Sequence, residues 1–130
     1  MKTTAYWSYK TCVKDRLRAL RRERGALTQS YIADRLGVQA SYLSRVLNSE
    51  KAHFSEDQLY RLLEALRFTE GEREYLFLLR SHAMTGLPER KAELERQIRR
   101  AQAAGKASEL TDLASALSAA LKEISIGTRE

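Results

Sequence analysis

Apolar residues recur at helical spacing along most of the chain. Val13, Leu17 and Leu20 stand at i, i+4 and i+7 and predict a first helix from about Tyr9 to Arg24. Lys10, Lys14, Arg18, Arg21 and Arg22 fall on a neighbouring face, and Gly25 suits a left-handed cap. Thr28 is a good N-cap for a second helix that ends at Gly37, and a third helix runs from near Gln39 to about Asn48. Ser55-Glu56-Asp57-Gln58 and Thr69-Glu70-Gly71-Glu72 have the form of capping boxes. The first opens a fourth helix with Leu59, Leu62, Leu63 and Leu66 on one side, the second a fifth with Tyr75, Leu76 and Leu79 facing inward.

Met84-Thr85-Gly86-Leu87-Pro88 is the clearest break and the expected domain boundary, dividing the chain into 1–86 and 87–130. Beyond it a charged helix, about Glu89 to Ala104, carries only the narrow apolar line Leu94, Ile98 and Ala101. Gly105 is read as its end. A last helix, about Ser108 to Ile124, places Leu110, Leu113, Leu117, Leu121 and Ile124 at helical spacing, flanked by Ala114, Ala116, Ala119 and Ala120. The expected class is all-α, five helices followed by a two-helix appendage.

Gln29 to Val46 has a more specific pattern. Two short helices crossing steeply must each bury one face, and Ile32, Leu36, Val38, Leu43 and Val46 supply that shared core. Ala33 stands where the helices come close and only a small side chain fits. Gly37 stands where the chain turns sharply. Alanine, a glycine four residues on and an aliphatic six further, here Ala33, Gly37 and Leu43, is the spacing of a helix-turn-helix. The bland alternative is a structural helical hairpin.

The segment Leu27-Thr28-Gln29, Ile32-Ala33, Leu36-Gly37-Val38 and Tyr42-Leu43-Ser44-Arg45-Val46-Leu47 resembles the lambda-repressor-like DNA-binding domain of the Cro/C1 family of bacterial and phage regulators. The likeness runs from about Val13 through Leu79 and includes the count of five helices. Leu47, Asn48 and Ser49 depart from it, standing where relatives often carry an acidic residue and a glycine.

The resemblance implies binding to double-stranded DNA, with the third helix in the major groove. Its outward positions are Gln39, Ala40, Ser41, Ser44, Arg45 and Asn48. Arg45 suits guanine, since a guanidinium donates two hydrogen bonds to O6 and N7; the alternative is that it holds a phosphate or an acid. Ala40 suits a thymine methyl, and Gln39 is either a cap or a base contact. The free amides at the start of the second helix favour a phosphate, and the family places Gln29 on the DNA backbone there. Thr28 is the neighbouring cap, and Lys51, Arg22 and Arg24 are further backbone candidates. Lys10 and Lys14 read as solvated, His53 as a loop residue without a specific role, and Tyr6-Trp7-Ser8-Tyr9 as a lid on the core.

Charge agrees with a polyanionic partner. Residues 1–27 hold eight Lys/Arg against two acids, which matches the net +6 of the whole chain. The one cysteine, Cys12, permits no intrachain disulfide and reads as a buried structural thiol. The absence of a long apolar run or a signal-like start points to the cytoplasm. No arrangement of serine, histidine, cysteine or carboxylate suggests catalysis, a metal or a cofactor, so an enzyme is not expected.

A single helix-turn-helix covers about one half-site, so a homodimer on a palindromic operator is expected. Leu110, Leu113, Leu117, Leu121 and Ile124, assisted by Leu94 and Ile98, are the candidate dimer contacts. The alternative is that these helices fold back on their own domain. A dimeric repressor is the leading expectation. The competing one is a protein-interaction module, an adaptor or antitoxin, whose C-terminal helices hold a partner protein.

Overall fold

Four of the first five helices begin where a side chain satisfies a free amide of the first turn. In the computed structural model, which describes residues 2–25 and 27–127, a 3-10 turn (Thr3–Ala5) precedes α1 (Tyr9–Glu23), α2 (Gln29–Leu36), α3 (Ala40–Asn48), α4 (Glu56–Ala65), α5 (Glu70–Met84) and α6 (Pro88–Gly127). Met1 and residues 128–130, the outer limits of the two expected domains, lie outside the described residues. Ser8 and Thr28 accept from Thr11 N–H and Tyr31 N–H. Ser55 with Gln58 and Thr69 with Glu72 form complete capping boxes. Gln39 precedes α3 with no side-chain cap bond.

Two turns close in the same way. Gly37 is left-handed at φ 71° and ψ 30°, with Val38 N–H bonded to Ala33 C=O and Gly37 N–H to Asp34 C=O. After α4, Phe68 N–H bonds to Leu63 C=O and Arg67 N–H to Glu64 C=O, but the left-handed residue is Arg67 at φ 62°. Gly25 does not take the left-handed cap expected of it. The chain leaves α1 extended at Arg24 (φ −135°, ψ 97°), and Leu27 N–H bonds back to Arg24 C=O as Leu27 turns onto the core.

One core joins the helices. Val13 and Leu17 of α1, Ile32 and Ala33 of α2, Leu43 and Val46 of α3, Leu59 to Leu66 of α4 and Tyr75 to Leu79 of α5 supply most of it. The small Ala33 is 1% exposed, as the close α2–α3 crossing requires. Cys12 is buried, and burial pushes its thiol up to about 11.

Beyond Gly86 the structure departs from expectation. The two-helix appendage is one helix, α6, of 40 residues. Its first half packs along α5 in the opposite direction: His82 meets Glu95 at 3.0 Å, and Gln102 donates to the Tyr75 hydroxyl at 3.2 Å. Leu94 is buried and Ile98 belongs to the main core, so core contacts cross the expected boundary. Both therefore pack on their own domain and do not join an external seam, as the fold-back alternative allowed for this half.

Gly105 does not end the helix. The 3-10 turn lies against it, and a Cβ there would stand 2.6 Å from Thr4 Oγ1. The glycine is explained by this close approach. Tyr75 also donates to the carbonyls of Thr4 and Tyr6, and Thr3 donates to Glu72, so the N-terminal segment is held beside α5 and α6. Past Ala107 the helix runs on with Leu110, Leu113, Leu117, Leu121 and Ile124 each more than 60% exposed. Among the described residues no helix is long and apolar enough to cross a membrane.

Candidate nucleic-acid interface

The α2–α3 pair presents one polar face because the other is spent on the core. Leu43, Val46 and Leu47 point inward from α3 and are at most 2% exposed. That leaves Ser41, Arg45 and Asn48 on the outer face, with Gln39 exposed just ahead of it. Ala40 and Ser44 are half-buried, and Ala40 packs against the core.

The outer side chains are unequal in freedom. The Arg45 guanidinium lies 5.6 Å from the centre of the Tyr42 ring. Tyr42 is itself fixed, edge-on to Phe54 and bonded through its hydroxyl to Gln58 at 3.3 Å. Arg45 is thus supported on a packed aromatic ring, while its donors make no hydrogen bond or ion pair to the described residues. Asn48 turns back on its own helix, Nδ2 donating to Ser44 C=O at 2.8 Å, and its Oδ1 accepts from Lys14 Nζ at 3.5 Å. The chain then exits extended at Ser49, φ −93°.

Around this face, Gln29 is half-buried at the first position of α2, beside amides that helical bonding leaves free. The Thr28 hydroxyl oxygen is occupied as the cap. Arg22, Arg24 and Lys51 are exposed, and none forms an ion pair with a described residue.

The loop after α3 is fastened by residues that sequence reasoning passed over. Lys10, expected in solvent, is 8% exposed, and its ammonium donates to Ser49 C=O at 2.6 Å and to Ala52 C=O. Burial, then the Lys14 charge, holds its pKa below the ordinary lysine value. Arg80 donates from Nε to Phe54 C=O at 2.9 Å and reaches Glu56 at 3.7 Å. The Tyr9 hydroxyl meets His53 Nδ1 at 2.8 Å. Burial pushes Tyr9 up to about 12. Burial, then the charges of Lys10 and Arg80, push His53 down. Both effects keep the pair neutral, and the tautomer of His53 decides which of the two donates. A signal for Lys10 was present in the sequence: Lys10, Val13 and Leu17 share one helical stripe, so the lysine stands on the buried side.

The aromatic lid is seated differently. Tyr6 donates to Asp15 at 2.7 Å, a bond that with burial pushes its pKa up to about 12. Trp7 sits edge-on to His82, and the Arg99 guanidinium of α6 lies 5.5 Å from the Trp7 ring centre.

Residues 15–76 match a family model described as a helix-turn-helix domain, which spans α2 and α3 and extends into α1 and α5. No curated protein and no solved structure matches the chain. The α2–α3 geometry and this match agree on a likeness to a helix-turn-helix domain over residues 15–76, which supports a DNA-binding reading.

Proposed function

We propose that the protein is a sequence-specific transcriptional regulator that binds double-stranded DNA as a homodimer on a palindromic operator, in the manner of the Cro/C1 family. The observation that carries this reading is the outer face of α3. It sets Gln39, Ser41, Arg45 and Asn48 in solvent on a helix whose opposite side is fully buried. A rigid helix of this kind fits the major groove, where base edges are distinguished. Arg45 reads a guanine. Gln29, Arg22, Arg24 and Lys51, beside the cap Thr28, hold phosphates. The exposed Leu110–Ile124 seam supports the dimer, since a contiguous apolar stripe of this length is unusual on a monomer. Occupancy of the operator is enough to repress, so the regulator acts as a repressor.

Selection of bound sequences from a random duplex pool tests the reading. One enriched inverted repeat is expected, and recovery of no motif would sink the proposal. Arg45→Ala then relaxes the preference at one position of each half-site, a loss of about 1–3 kcal/mol of discrimination. Gln29→Ala weakens binding about equally on all sequences, since phosphates carry no sequence information.

A further inference from the structure

The exposed stripe on α6 lies on a different face from the one that docks on the domain. At 3.6 residues per turn, Leu94, Ile98 and Gly105 stand about 100–140° around the axis from Leu117. The stripe therefore does not continue the contact with α5, and it is open to a partner along its whole length.

The stripe is symmetric about Leu117. Leu113 and Leu121 stand four residues to either side, Leu110 and Ile124 seven, and Ala114 and Ala120 three. We infer that the partner is a second copy, packed antiparallel along α6 with the two-fold axis at Leu117. The inference rests on the dimeric reading above and adds its geometry. Leu110 then meets the partner's Ile124, and Leu113 the partner's Leu121.

Charge separates the antiparallel pair from the parallel one. Upstream of Leu110 the same stripe carries Lys106, within about 20° of Leu117 around the axis. Parallel pairing in register sets this cation opposite its own copy, and antiparallel pairing does not.

Spacing agrees. Twelve residues separate Gly105, where α6 leaves the domain, from Leu117. At 1.5 Å per residue the two departure points lie about 36 Å apart, of the same order as one turn between half-sites.

Disulfide trapping in the full chain tests the orientation. Cys12 is 3% exposed and stays out of the reaction. Leu117→Cys, on the axis, cross-links to itself in either orientation and reports the dimer alone. Leu110→Cys and Ile124→Cys are each expected to stay uncross-linked when oxidised singly, and to give the covalent dimer when mixed. Self-linkage of Leu110→Cys, with Leu117→Cys also linking, overturns the antiparallel arrangement and leaves the dimer standing. Absence of linkage in Leu117→Cys, with wild-type protein sedimenting as a monomer, overturns the dimer itself.

Discussion

His53 shows how a residue without a role of its own serves the interface. Burial, then the charges of Lys10 and Arg80, favour its neutral imidazole, and the Tyr9 hydroxyl lies 2.8 Å from its Nδ1. Its pKa is lowered in the fold, so below about pH 6.5 the unfolded chain takes up the proton more readily than the folded one. The stability that comes from keeping His53 neutral is therefore complete above about pH 6.5 and is lost as the pH falls through the folded-state value. Thermal unfolding followed from pH 8 to pH 5 should show a steeper loss in the wild type than in His53→Gln. Parallel curves would mean that the ring does not report on the fold. Lys10 belongs to the same cluster. A buried ammonium is tolerated there because two carbonyls of the loop after α3 accept from it, leaving that loop set beside α3.

At the level of elements, Arg67 and Gly105 are the informative positions. Arg67 ends α4 in the left-handed region, which costs an L residue with a side chain about 1–2 kcal/mol. Arg67→Gly relieves it at some cost in unfolded-chain entropy, for a net stabilisation of roughly 0.5–1 kcal/mol by denaturant titration. A loss instead would show that the Arg67 side chain makes a contact worth more than the strain. Gly105→Ala should destabilise by about 1–2 kcal/mol despite the helix preference for alanine, because the new methyl meets Thr4. Thr4→Ala in the same chain should recover part of that loss, and additivity of the two changes would remove the contact as its cause. These two positions also mark how far the sequence was legible. Caps, capping boxes and apolar stripes lie within a few residues of each other, so α1 to α5 and the Ala33–Gly37–Leu43 crossing could be read directly. A glycine in a charged helix reads locally as an end. Only Thr4, about a hundred residues away, explains why α6 passes through it. Lys10 was missed for a related reason, since its acceptors are backbone carbonyls of another element.

For the whole molecule, the point at which α6 leaves the domain sets what can be removed. Leu94 and Ile98 are buried with the domain, so a chain ending at Gly86 would lose core as well as any dimer contact. A chain ending at Ala107 keeps every buried residue and loses only the exposed stripe and the Lys2–Glu109 pair, a surface ion pair worth at most about 1 kcal/mol. It should unfold with nearly the wild-type midpoint and sediment as a monomer. If the seam joins two copies, each truncated monomer binds one half-site alone, and affinity for the palindrome falls by about 10²–10⁴ as the avidity of two linked sites is lost. Binding to an isolated half-site should be little changed, with the same dependence on salt, because the truncation leaves the proposed phosphate-binding residues in place. Titrating both chains against palindromic and half-site duplexes separates the two effects. An equal loss on both duplexes would place the C-terminal stripe in direct contact with DNA and not in the pairing of domains.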